Sequence, residues 1–149
     1  MTVLTLRAAQ PTDAGATGAI LSAFAEGTRW MPRLHTRAET ISFTGSMIER
    51  GWVEVAEQDG QVLGFIARDG ADVHALYVAP DRCGCGIGAA LLHRAQDAVD
   101  RLNLWTFEAN TGAQRFYARH GFSEVRRTDG DNEEGLPDIL LRWQKEGQL

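Results

Sequence analysis

The chain has 149 residues, 44% of them hydrophobic and 23% charged, which suits a globular protein with one core. Its formal net charge of −5 argues against a nucleic-acid partner, whose binding face would be basic, and no apolar run approaches the ~18 residues that cross a bilayer. The only cysteines, Cys83 and Cys85, enclose too little chain for a stabilising disulfide and have no further Cys or His pair at metal-site spacing, so no metal is expected.

Free thiols suit a reducing compartment, and the opening MTVLTLRAAQ lacks the basic start and apolar run of a secretory leader. A cytoplasmic, membrane-free protein is the expectation. In chain order, Val3 to Arg7 alternates as a short strand, and Pro11-Thr12-Asp13 opens a helix carrying Ile20, Leu21 and Phe24 at helical spacing. Residues 26–35 are irregular. Thr36 and Glu39 form a capping box for a second helix, which Gly51 ends. Strands are predicted over 52–57, 62–68 and 71–78, joined by Asp59-Gly60 and Asp69-Gly70 turns and stopped by Pro80. A helix follows over 86–102, then a strand over 104–108, a helix over 111–120 and a strand over 122–126. An exposed acidic loop over 128–137 and a last strand over 139–143 complete the chain. The order β-α-α-β-β-β-α-β-α-β-β implies an α/β (α+β) fold, a mixed, mostly antiparallel sheet with helices on both faces, in a single domain over 1–149.

Chemistry concentrates in Cys83-Gly84-Cys85-Gly86-Ile87-Gly88-Ala89, which follows a strand and opens a helix. Glycines allow tight turns and close ligand approach, and the first helical turn offers unpaired N–H groups and a favourable dipole. Together they suit a phosphate or pyrophosphate. A Walker loop would end in Gly-Lys-Ser/Thr, and a Rossmann loop needs Gly-x-Gly-x-x-Gly after the first strand of its unit. This loop has neither pattern.

Leu76-Tyr77-Val78-Ala79-Pro80, the glycine loop through Leu92, and Asn110 through Phe122 resemble, in order and spacing, the GNAT family of acyltransferases. The resemblance extends over essentially the whole chain. It implies acetyl-CoA as cosubstrate, with Leu76, Tyr77 and Val78 pairing with the pantetheine arm. Arg82, Cys83, Gly84, Cys85, Gly86, Ile87, Gly88 and Ala89 would then hold the pyrophosphate. The family's usual Arg or Gln is replaced by Cys83, with Arg82 one place earlier. Because backbone N–H groups supply most of the grip, binding is expected to survive that change.

The same resemblance makes Tyr117 the general acid that protonates the departing thiolate, a role a phenol can fill. Asn110 would bond the pantetheine or the loop, with simple helix capping as the alternative. Phe116 and Phe122 read as core. For the base that deprotonates the amine, Asp72 and His74 lie two apart on one strand and so share a face, with Glu108 as a third candidate and water alone as a fourth. The acceptor would enter between the first two helices and the last strands, near Trp30, His35 and the Asp129–Glu134 loop. A primary amine of a small or amino-acid-like molecule is the expected acceptor. A peptide N-terminal amine and a non-catalytic CoA-binding module are the alternatives, and the two thiols also raise the option of redox sensing. Homodimers are common among similar proteins.

Overall fold

A computed structural model of the protein describes residues 3–146. Its elements are β1 (Thr5–Ala8), α1 (Ala14–Gly27), α2 (Arg37–Glu49), β2 (Val53–Gln58), β3 (Gln61–Asp69), β4 (Asp72–Val78), α3 (Ile87–Ala98), β5 (Arg101–Phe107), α4 (Thr111–Arg119), β6 (Ser123–Thr128) and β7 (Asp138–Gln144). The strands form one seven-stranded sheet in the order β1-β2-β3-β4-β5-β7-β6. Every pairing is antiparallel except β4 with β5. This is the mixed, mostly antiparallel sheet that the order of elements implied.

Each face of the sheet carries its own core. On one face Ile87, Leu91, Leu92 and Ala95 of α3 and Tyr117 of α4 pack against Leu63, Ile66, Leu102, Leu104 and Ile139. On the other, Ile20 of α1 and Met47 and Ile48 of α2 pack against Val53, Val55, Phe65 and Ala67. Leu91, Leu92, Leu102 and Phe65 are wholly buried, each worth about 1.5–3 kcal/mol relative to exposure. The second helix starts as its capping box requires: Glu39 N–H donates to Thr36 Oγ1 at 3.1 Å, and Thr36 N–H donates to Glu39 Oε1 at 2.8 Å. No helix among the described residues is long and apolar enough to cross a membrane.

Two local readings of the sequence are corrected. The third helix ends at Ala98, not Leu102, because Val99 turns extended (φ −140°, ψ 165°) and Leu102 enters β5. Leu102 suits the inner stripe of a helix and the inner row of a strand equally well. Pairing of β5 with β7 over seven residues decides for the strand, where Leu102, Leu104 and Thr106 alternate inward. The alternation of β4 is also interrupted. Ala67 lies opposite Ala75 and Arg68 opposite Val73, so His74 is an extra residue, a bulge. Val73, Leu76 and Val78 consequently face the α3 core, while Ala75 and Tyr77 face the α1–α2 core.

One close approach sets the site. A Cβ on Gly64 of β3 would stand 3.0 Å from the Tyr77 carbonyl oxygen and 3.1 Å from Ile87 Cγ2. The missing side chain lets the first turn of α3 press onto the sheet beside the end of β4.

Candidate active site

Between β4 and α3 the chain makes a short turn over Pro80–Arg82, closed by Arg82 N–H donating to the Ala79 carbonyl at 2.9 Å. Gly84 (φ +87°) and Gly86 (φ +82°) then take left-handed backbone conformations that disfavour any side chain. The next N–H to find a backbone acceptor in the turn is that of Ala90, bonded to the Gly86 carbonyl at 3.0 Å. The N–H groups from Cys83 to Ala89 have no acceptor among the described residues. Such a row of free donors at the positive end of a helix is built to hold an anion. Both thiols are exposed, with Cys83 Sγ 3.6 Å from the Ala79 carbonyl oxygen. Arg82 is half-buried at the loop's start.

Beside this loop the sheet splits. β4 and β5 run parallel but meet at a single position, Asp72 opposite Asn103, with Asn103 N–H donating to the Ala71 carbonyl at 2.7 Å. From Val73 to Val78 the β5-side edge of β4 has no strand partner, while its other edge is paired to β3 except at the His74 bulge. Leu76 and Val78 therefore present free backbone groups next to the anion loop, while those of Tyr77 are turned to Phe65 of β3. An extended amide-bearing chain could pair with them as an added strand does.

Tyr117 sits on α4, directly after β5. It is 8% exposed, its ring packed edge-on against Phe116 at 5.2 Å and Phe122 at 5.3 Å. Its hydroxyl has no hydrogen-bond partner among the described residues, yet it is not a sealed, unsatisfied atom, so it opens onto accessible space. Burial, and then the neighbouring Tyr77 hydroxyl, raise its pKa above the ordinary phenol value. It stays a proton donor. Asn110 caps α4, its Oδ1 accepting from Ala113 N–H at 3.0 Å. The capping alternative is thus realised, and the side-chain NH2 is left over.

The three base candidates do not share one place. His74, in the bulge, stacks on Trp52 at 4.8 Å with rings 13° from parallel, and it lines a large cleft on the α1–α2 face. The Arg50 guanidinium lies 4.9 Å from the Trp52 ring centre. Asp72 stands outside that cleft and accepts from Asn103 Nδ2 at 3.4 Å. Glu108 also lies outside it, 3.6 Å from Arg127. Asp72 flanks Val73, which faces the α3 core, and bonds Asn103, which lies between the inward Leu102 and Leu104, so it points to the same side of the sheet as His74 while staying outside the cleft.

The cleft has a volume of about 920 Å³ and is walled by α1, the 31–36 segment, α2, β4, β5 and the loop before β7. His35 lines it and pairs with Glu133 at 2.7 Å across the opening. Trp30 lies behind the wall, its ring 6.3 Å from Phe24 and 5.6 Å from Phe107. Phe24, Tyr77 and Phe107 line the cleft together with Phe43 and Trp105, and the Phe24 and Tyr77 rings stand 5.0 Å apart. Spacing did not mark Phe24, Phe107 or Glu134 as cleft residues, because they come from three distant segments of the chain. Burial, and then Glu134, push Tyr77 up to about 12.

The family model described as an acetyltransferase (GNAT) domain matches residues 49–124, which hold β4, the anion loop and α4. The chain is similar to the peptidyl-lysine N-acetyltransferase YjaB of Escherichia coli, at 37% identity over 90 residues. That match spans 60% of this chain and 60% of YjaB. Over the whole fold it is similar to the solution structure of apo YjaB from Escherichia coli, with a TM-score of 0.80 and 25% identity, covering 96% of this chain and 99% of that one. The fold is also that of yncA from Salmonella typhimurium, determined with acetyl-CoA (TM-score 0.73, 21% identity, covering 97% and 95%). With its family-specific segments matched and its fold shared throughout, the chain belongs to the GNAT acetyltransferase family.

Proposed function

We propose that the protein transfers an acetyl group from acetyl-CoA to the side-chain amine of a lysine in a peptide or protein. One arrangement carries the reading: the loop of free N–H groups, the unpaired edge of β4 and Tyr117 border one core cluster, with an open cleft on the opposite face. The residues present fit the cosubstrate. The loop from Arg82 to Ala89 would take the pyrophosphate, and Leu76 and Val78 the pantetheine amides. The peptidyl-lysine activity named for YjaB favours a lysine over the small or amino-acid-like amine expected from the acceptor region of the sequence. A cleft open at its rim admits a side chain still attached to a polypeptide.

In the reaction the neutral amine attacks the thioester carbonyl, forming a C–N bond, and the C–S bond then breaks. A β4 backbone N–H near Leu76 would steady the oxyanion. Tyr117 gives its proton to the departing thiolate, the attacking nitrogen sheds its surplus proton to solvent to leave the neutral amide, and Tyr117 is reprotonated from solvent. The acceptor ammonium loses its proton to water or to His74, the one base candidate that lines the cleft.

Thiol release from acetyl-CoA tests the reading. Without acceptor it should be slow. Lysine peptides should accelerate it, and small primary amines should do so less. Tight acetyl-CoA binding with no acceleration by any amine would identify a binding module instead. Acceleration by small amines alone would restore the small-molecule acceptor. Maleimide labelling gives a second check. Cys83 and Cys85 should react readily when free, and saturating CoA should slow labelling about tenfold or more by covering the loop. Labelling unaffected by CoA would move the cosubstrate elsewhere.

A further inference from the structure

Four carboxylates line the acceptor cleft: Glu26, Glu39, Glu133 and Glu134. Three are already engaged. Glu26 receives Arg37 through two hydrogen bonds, at 2.9 and 3.1 Å. Glu39 accepts from Thr36 N–H as part of the helix cap, and Glu133 is paired with His35. The guanidinium of Arg37 and the cap N–H hold Glu26 and Glu39 below the usual carboxylate range. Glu134 alone of the four has no hydrogen bond or ion pair among the described residues.

Its position is built. The loop that carries it is tied by Asn132, whose Nδ2 donates to the Leu136 carbonyl at 2.7 Å and to Asp138 Oδ2 at 3.1 Å. Leu136 N–H returns to Asn132 Oδ1 at 3.2 Å, and Thr128 Oγ1 donates to Asp138. An acidic segment that composition would leave to solvent is thereby folded back on itself. Glu134, half-buried, lies on the cleft wall with Phe24, Tyr77 and Phe107 and is close enough to influence Tyr77. An uncommitted carboxylate beside aromatic faces matches a primary alkylammonium: the rings cover the methylene stem and attract the cation, and the carboxylate accepts its N–H bonds.

We propose that Glu134 receives the ammonium group of the acceptor, at a mouth walled by Phe24, Tyr77 and Phe107. The proposal rests on the reading of the protein as an amine acetyltransferase. It makes Glu134 a binding and specificity residue. His35 and Glu133 form a separate pair at the rim.

The test compares the wild-type chain with Glu134→Gln, Glu134→Asp and Asp129→Asn. Asp129 lies on the same loop but outside the cleft, so its variant matches the change in charge. With a lysine peptide, Glu134→Gln should raise the acceptor KM about tenfold or more and leave the acetyl-CoA KM unchanged. Glu134→Asp should be intermediate, and Asp129→Asn should behave as wild type. An unchanged acceptor KM in Glu134→Gln, or an equal rise in Asp129→Asn, overturns the assignment. Calorimetric titration with Nα-acetyl-lysine amide makes the same comparison without turnover. Wild-type turnover of lysine peptides tests the functional reading itself. If only small amines turn over, the same KM ratio is measured with them. The two failures are therefore distinct.

Discussion

Tyr117→Phe should lower kcat by about 10²–10⁴-fold, the usual contribution of a positioned general acid, while leaving acetyl-CoA affinity near wild type. The substitution removes one oxygen that has no protein partner among the described residues. Ring packing against Phe116 and Phe122 is kept, so the fold has no reason to weaken. Steady-state kinetics with an acetyl-CoA titration separates the two quantities. Wild-type turnover in the phenylalanine variant would remove Tyr117 from the chemistry. The pH dependence gives an independent check. Burial first, and Tyr77 second, raise the Tyr117 pKa, so the acid keeps its proton and kcat should show no alkaline fall below about pH 10. The sign for stability is the same. Tyr77 is pushed up to about 12 in the folded chain, whereas an unfolded tyrosine ionises near ~10. Its contribution is constant below the unfolded value and is lost as pH rises from there towards 12, because only the unfolded chain releases the proton. Melting temperatures recorded from pH 8 to 12 should decline mainly above ~10.

Gly86→Val should weaken acetyl-CoA binding by about 10- to 100-fold, the loss of one or two charge-assisted hydrogen bonds. Gly86 is the N-cap of α3 at φ +82°, where a β-branched side chain costs about 1–2 kcal/mol or distorts the loop. A Cβ there meets no protein atom within 4 Å, so core packing is untouched and the strain falls on the loop that carries the free N–H groups. Gly51→Val supplies the control. Gly51 has nearly the same backbone strain (φ +79°) and equally open surroundings, but lies between α2 and β2, remote from the loop in sequence. Both variants should lose comparable thermal stability, and only Gly86→Val should lose cosubstrate affinity. Equal affinity losses would mean that strain, and not the loop, governs binding.

The proposed cosubstrate half of the site is local in sequence, so its residues can be named from sequence alone. A glycine loop after a strand, a helix start and Tyr117 seven residues after its helix N-cap Asn110 are all set by short-range geometry. Turns, caps and periodicity also placed nearly every element. The departures came where two periods fit the same residues, as at Leu102, or where one extra residue shifts a ladder, as at His74. A bulge has no compositional mark here, because His74 is as compatible with an ordinary exposed strand position. Only pairing with β3 reveals it.

The proposed acceptor half was read mainly as a region: of the two residues named, His35 lines the cleft and Trp30 does not, and Phe24, Tyr77, Phe107 and Glu134 emerged from the fold. Phe24, Tyr77, Phe107 and Glu134 come from α1, β4, β5 and the loop before β7, and no spacing rule connects them. Asp129, Asp131, Glu133 and Glu134 look alike in sequence, yet the ties made by Asn132 and Asp138 leave Glu134 on the cleft wall and Glu133 paired with His35. The sequence by itself therefore determined the element order, the anion loop, the candidate acid and the family resemblance, because backbone conformation and helix termini depend on near neighbours. Tertiary structure alone decided the splitting of β4 from β5, the bulge at His74 and which carboxylate is left uncommitted. Those depend on partners dozens of residues away, where packing and pairing across the sheet override local preference.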